Sequence, residues 1–341
     1  SILRLVDAAV TTGSVRFAGA ELLQKSEREM RAVRGNDIAM IFQEPMTALN
    51  PLYTIGNQIG EVLEQHEAMR KNEARARAID LLRRTGIPEP ERRIDAFPHQ
   101  LSGGQRQRAM IAMALACRPR LLICDEPTTA LDVTIQAQIL ALLDELQAEM
   151  QMALLFITHD LNLVRRFTHR VGVMERGRLV EMGDTAKVFA APRHAYTRKL
   201  LASRPERAVE PLAGDAPTLV EGRAITVDFP ARAGWFSTRH FLAVRNATLT
   251  LRRGETLGIV GESGSGKTTL GLALLALQPI GAGEVVLDGE RIDNAGRDAL
   301  RAMRRRIQVV FQDPFGSLSP RMTVGRIVGE GLELHRPELG H

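Results

Sequence analysis

Eight consecutive residues, Gly261-Glu262-Ser263-Gly264-Ser265-Gly266-Lys267-Thr268, combine the residue types needed to hold a row of phosphates. Glycines let successive backbone N–H groups face anionic oxygens, and a helix start adds positive potential. Lys267 would reach the outer phosphates, and the Thr268 hydroxyl would ligate magnesium. The surroundings fit. The run Thr256-Leu257-Gly258-Ile259-Val260 reads as a buried strand entering the loop, and residues 269–277 read as the helix leaving it.

A second group of chemical residues lies earlier in the chain. Asp125 and Glu126 close the apolar run Leu121-Leu122-Ile123-Cys124, which puts two carboxylates at the carboxyl edge of a parallel sheet, where such folds bind ligands. Two acids there need a cation or a proton-transfer task, although they could also cap a helix beginning near Thr128. Ser102-Gly103-Gly104-Gln105 offers small residues and backbone donors at the start of a helix over 106–117, either an anion site without a lysine or a plain cap. His159 follows the strand-like run Ala153-Leu154-Leu155-Phe156-Ile157-Thr158, where a single histidine could equally be a cap or a surface residue. Gln43 and Gln312 each close an apolar run, residues 38–42 and 307–311. The remaining histidines have no ligand-like spacing. Cys117 and Cys124 are too few for a disulfide framework or zinc cluster, and a reducing compartment suits them.

The elements that must position these groups repeat. Ile38-Ala39-Met40-Ile41-Phe42-Gln43-Glu44-Pro45 matches Ile307-Gln308-Val309-Val310-Phe311-Gln312-Asp313-Pro314, with Phe42 and Phe311 269 positions apart (311 − 42). Gly13 to Gly19 matches Gly283 to Gly289 at an offset of 270 (283 − 13). So long a period signals duplicated domains rather than a solenoid. Yet the phosphate loop follows the acidic strand, the reverse of its order within one domain. The chain therefore reads as two incomplete copies: residues 1–201 lacking their phosphate-loop part, a Pro-, Ala- and Gly-rich linker over 202–217, and residues 218–341 ending just past Gln312. Helical spacing over 135–150 and a strand over 243–252 complete an α/β fold with a mostly parallel sheet.

Composition narrows the class. With 341 residues, 44% apolar and 25% charged, the chain can build two cores, which excludes a disordered or fibrous protein. The charge of +5 suits anions, but 4% aromatic residues is poor for stacking on nucleic acid, and no nucleic-acid partner is expected. The longest uncharged stretch, residues 268–283, is broken by Gly271, Pro279 and Gly281, so no span is expected. Ser1-Ile2-Leu3-Arg4-Leu5 reads as mid-helix without a cap, placing the start upstream. Arg301 and Arg304 to Arg306 read as a solvated helix face, and Met110, Met113, Met150 and Met152 as core fillers.

Together these motifs resemble the ATP-binding cassette superfamily, a P-loop NTPase fold with a helical signature subdomain. The resemblance implies ATP and magnesium as cofactors, held by Gly261, Glu262, Ser263, Gly264, Ser265, Gly266, Lys267, Thr268 and Thr269. It makes Ser102, Gly103, Gly104 and Gln105 the signature motif, Asp125 the water-mediated magnesium ligand and Glu126 the general base. His159 becomes the switch histidine at the γ-phosphate, Gln43 and Gln312 the Q-loop magnesium ligands, and residues 129–132 a loop touching the partner domain. One of Trp235, Phe236 and Phe241 would stack on adenine. Residues 192–201, with His194-Ala195-Tyr196-Thr197, look like the tail of oligopeptide and dipeptide importer ATPases, Ala195 replacing the usual proline. The likeness extends to fused two-domain ATPases of microcin C and oligopeptide importers. Those sit peripherally on the cytoplasmic face of the bacterial inner membrane, bind two permease subunits, and depend indirectly on a periplasmic binding protein. In that family each nucleotide site pairs one copy's phosphate loop with the other copy's signature. Lys267 would then face Ser102 to Gln105, while Asp125, Glu126 and His159 would serve a loop preceding Ser1. Docking of both parts as one permuted domain is the alternative arrangement. A tandem cassette protein acting on the ribosome is the alternative function, disfavoured by the short linker.

Overall fold

The computed structural model describes residues 2–5, 11–43, 48–128, 131–203, 209–232, 238–312 and 314–336. Expectations resting on Ser1, Glu44, Pro45, Met46, Thr129, Ala130, Trp235, Phe236, Asp313 and His341 lie outside these residues. Two compact units divide the chain, Ser1–Arg207 and Ala208–His341.

In the first unit a short hairpin, β1 (Arg16–Phe17) and β2 (Ala20–Glu21), precedes α1 (Glu27–Val33) and β3 (Ile38–Ile41). There follow α2 (Ile55–Glu67), α3 (Lys71–Arg84), α4 (Pro90–Arg93) and α5 (Gly103–Ala114). Then come β4 (Leu121–Asp125), α6 (Val133–Met150), β5 (Ala153–Ile157) and α7 (Leu161–Phe167). A hairpin of β6 (Arg170–Glu175) and β7 (Arg178–Asp184) leads to α8 (Thr185–Ala190) and α9 (Ala195–Ala202).

The heart of this unit is the parallel sheet β3-β4-β5, with Ile38 opposite Leu121 and Leu121 opposite Ala153. Crossovers of this kind cover both faces of β3 and β4, whose residues are nearly all aliphatic and mostly buried. Ile139, Leu142, Leu143 and Leu146 on one stripe of α6 pack with Ile41, Leu122 and Cys124. Each buried leucine or isoleucine there contributes about 1.5–3 kcal/mol through removal from water. Helices α2, α3 and α5 form a separate core around Ile59, Leu63, Leu81, Leu82 and Ala109.

The second unit opens with long paired strands, β8 (Thr218–Arg232) and β9 (Thr238–Arg252), then α10 (Lys267–Leu274). It continues with β10 (Ala282–Leu287), β11 (Glu290–Arg291), α11 (Arg297–Arg304), α12 (Pro314–Ser317) and α13 (Val324–His335). Its sheet, β11-β10-β8-β9, is antiparallel throughout. Ile225, Val227, Val244, Ala273 and Val285 form its core.

Several sequence expectations need correction. Residues 256–260 are neither a strand nor buried: Val260 is 92% exposed and Leu257 and Ile259 are exposed too. Residues 307–311 likewise form no strand, and Val310 is 99% exposed. A strand exists only through a ladder partner; among the described residues of this unit no parallel neighbour is present, whereas the matching residues 38–41 gain one in β4. The side chains of β5 alternate between exposed and half-buried instead of being buried throughout, whereas β3, the other edge strand of the sheet, is almost wholly buried. Residues 2–5 form a turn rather than a helix, because Arg4 adopts a left-handed φ of 52°. The signature helix begins at Gly103 and stops at Ala114, earlier at both ends than the expected 106–117. The helix expected near Thr128 is α6, which begins at Val133, and Asp132 caps it by accepting the Ile135 N–H at 2.9 Å. The arginine face is solvated as expected, with Arg306 paired to Asp288, and Met110 and Met152 are core residues.

The tail helix α9 is held by a residue that sequence spacing did not reveal. Glu181 on β7 accepts the backbone N–H groups of Arg193 (2.8 Å) and His194 (3.0 Å), while His194 Nδ1 caps the helix by accepting the Tyr196 N–H at 3.2 Å. The Thr197 side chain first, and then the Arg193 and His194 N–H groups, favour the charged form and bring the Glu181 carboxyl down to about 2 from its usual 4.5. A lowered native pKa supplies stability above the unfolded value and loses it as pH falls through the folded one. Amide hydrogen exchange in residues 195–202, corrected for intrinsic rates, is therefore expected to accelerate as pH drops from about 4.5 toward 2. Glu181→Gln should show that acceleration already at pH 7; unchanged exchange would count against the clasp.

Candidate functional site

Parallel pairing in register brings the ends of β3, β4 and β5 to one edge, so residues far apart in sequence meet there. Gln43 lies just past β3, Glu126 just past β4 and His159 just past β5. The Glu126 carboxylate accepts Gln43 Nε2–H on one oxygen (3.0 Å) and meets His159 Nδ1 on the other (2.8 Å). Glu126 has a left-handed φ of 45°, an uncommon conformation for a side-chain-bearing residue. Its N–H is held by the Ile157 carbonyl at 2.9 Å, so the turn is anchored to β5 while the side chain reaches both neighbours. The hydrogen bond to Glu126, and then its negative charge, raise the His159 pKa above its ordinary value. Asp125 ends β4 half-buried beside this cluster.

Sequence reasoning placed Asp125 and Glu126 at a sheet edge and Gln43 and His159 at the ends of strands. It missed that Gln43 grips the acid directly, and no pattern in the chain signals this. Burial raises the thiol pKa of Cys124 to about 12 and that of Cys117 to about 11, so neither thiol serves as a nucleophile here.

The signature residues form a reciprocal cap at the start of α5. Ser102 Oγ accepts the Gln105 N–H (3.3 Å) and Gln105 Oε1 accepts the Ser102 N–H (3.2 Å). Gly103 has open space where a Cβ would stand, leaving its backbone approachable.

In the second unit, the phosphate loop wraps around its own lysine. Lys267 Nζ donates to the carbonyls of Gly261 (2.7 Å) and Glu262 (2.6 Å) and to Ser265 Oγ (3.3 Å). Gly266, at φ 92°, starts α10 so close to β9 that a Cβ would lie 2.3 Å from the Ala243 carbonyl oxygen. Backbone cannot yield as a flexible side chain can. Gly266→Ala is thus expected to displace the loop from β9 and weaken nucleotide binding at this loop by tenfold or more, measured by titration with a fluorescent nucleotide. Thr268 is exposed and Thr269 half-buried at the first turn of α10. Gln312 is exposed.

A family model described as ABC transporter matches residues 1–129 and 244–335. The chain belongs to the ABC transporter family. A protein of Agrobacterium fabrum named "Peptidoglycan transport ATP-binding protein YejF" is 55% identical over 346 residues, covering 99% of this chain and 63% of that protein. An Escherichia coli K12 relative, "Uncharacterized ABC transporter ATP-binding protein YejF", is 52% identical over 99% of this chain and 65% of its own length. "Glutathione import ATP-binding protein GsiA" of Salmonella typhimurium is 48% identical over 92% of this chain and 55% of its own length. The chain thus spans 55–65% of these ABC transporter relatives.

In the second unit the Thr268 hydroxyl and Gln312 amide oxygens, and separately in the first unit the Asp125 carboxylate, are hard oxygen donors of the kind magnesium takes. Among the described residues no group of three or more His, Cys, Asp or Glu could hold a metal ion. Among those residues no helix is long and apolar enough to cross a membrane.

Proposed function

We propose that the protein containing this chain is the ATP-binding and ATP-hydrolysing subunit of an importer for peptides or peptide-like solutes. The observation carrying this reading is the Gln43-Glu126-His159 cluster at the sheet edge, in a chain that also holds the Lys267 phosphate loop. Magnesium bound to the phosphates would neutralise charge and polarise the γ-phosphoryl group. Lys267 and the loop N–H groups bind the phosphate chain. Glu126 takes a proton from a water whose oxygen bonds to the γ-phosphorus, while the bond to the β-phosphate bridging oxygen breaks and ADP leaves. Gln43 and His159 each meet one Glu126 oxygen and orient the carboxylate, whose remaining lone pairs can accept from a water.

In this reading the Lys267 loop and the Glu126 cluster belong to two different nucleotide sites. The partners are two permease subunits, with a periplasmic binding protein delivering solute, and the location is the cytoplasmic face of the inner membrane. Names of related proteins that specify transport or import favour this over a tandem cassette acting on the ribosome.

The test is reconstitution of the full-length subunit with its neighbouring permeases in vesicles. ATP-dependent uptake of a labelled tripeptide or muropeptide, abolished with Lys267→Ala, is the expected result. ATP hydrolysis stimulated by ribosomes and indifferent to permeases would overturn the proposal.

A further inference from the structure

Outside the cluster at the sheet edge, one half-buried charge joins three helices. Arg108 lies in α5, six residues after Ser102. Its Nη1 donates to the Thr85 carbonyl at the end of α3 (2.7 Å), and its Nη2 donates to Gln138 Oε1 on α6 (3.0 Å). Space has been left for it. Gly86 sits at φ 75°, and a Cβ there would stand 2.6 Å from Arg108 Nη1. The guanidinium also lies at the carbonyl end of α3, where the helix dipole favours a cation. A second close approach occurs four residues earlier on α5, where a Cβ on Gly104 would come within 3.0 Å of Ile135 Cγ2 on α6. Gly104 and Arg108 share one face of α5, and Ile135 and Gln138 share one face of α6.

We propose that Arg108 is a positioning residue that fixes the direction of α5, and with it the backbone donors of residues 102–105, against α6 and the end of α3. This rests on the reading that residues 102–105 meet nucleotide during turnover. The leverage is geometric. Six residues of helix span about 9 Å, so a tilt of about 10° at Arg108 would swing the donors by about 1.5 Å. Misplacement of about 1 Å can cost on the order of a hundredfold in rate. Nucleotide held by the phosphate loop would still bind, because that loop does not depend on α5.

The test uses full-length protein carrying Arg108→Met, Gln138→Ala or both. Expected for Arg108→Met is a kcat at least tenfold lower per folded molecule, with KM for ATP within twofold. Gln138→Ala, an exposed substitution that leaves the fold intact, should lower kcat by about threefold, and the double variant should be no worse than Arg108→Met alone. A kcat within twofold of the parent, a loss appearing in KM instead, or multiplicative effects would each overturn the proposal. Amide exchange supplies a readout independent of turnover. In Arg108→Met, residues 103–106 should exchange faster while residues 111–114 stay protected. Unchanged exchange would overturn the positioning role, whereas a parent without ATPase activity but with this exchange pattern would count against the functional reading alone.

Discussion

Lys267→Ala in the full-length protein is expected to abolish one of its ATP-binding sites, weakening binding there by about a hundredfold or more. The magnitude follows from the bonds at stake. Hydrogen bonds involving a charged group contribute about 1.5–3 kcal/mol each, and about 1.4 kcal/mol is a tenfold change in affinity. Lys267 also donates to the Gly261 and Glu262 carbonyls, so the substitution removes the cation around which the loop is folded as well as a phosphate contact. Calorimetric titration should show the stoichiometry falling by one nucleotide per chain. An unchanged stoichiometry with affinity within threefold of the parent would refute the assignment.

The second large effect concerns Glu126. Glu126→Gln keeps the size and one hydrogen-bond acceptor but removes the base, and general-base catalysis contributes about 10² to 10⁴ in rate. Single-turnover hydrolysis at that site should slow by about a hundredfold or more, while ATP binding stays within a few fold. A single-turnover rate within fivefold of the parent would show that the carboxylate is not the base. Because Gln43 and His159 both hold the acid, Gln43→Ala is the informative companion: it removes one contact and keeps that to His159.

Much of the chemistry was legible in the chain because it is written locally. The phosphate loop declares itself by glycine spacing, and the cap at Ser102 and Gln105 by side chains three residues apart. The edge placement of Glu126 and His159 followed from aliphatic runs ending in polar residues. What failed was whatever depends on a distant partner. Residues 307–311 and 38–42 read alike, yet only the latter yields a strand, since β4 lies beside it. The same holds for Glu181 and Arg108, whose acceptors and donors lie 12 to 30 positions away without any periodic relation.

The bare segments of the second unit also govern how such a chain behaves in solution. Val260 and Val310, almost wholly wetted, with Leu257, Ile259 and Phe311 also exposed, put apolar side chains in water on segments outside any strand or helix. Surfaces of that kind recruit whatever apolar partner arrives first, so concentration, not sequence, chooses the companion. Produced alone, the chain should therefore form clusters that grow with protein concentration and resist dissolution by salt, and it should be drawn to chaperones that recognise exposed apolar peptide.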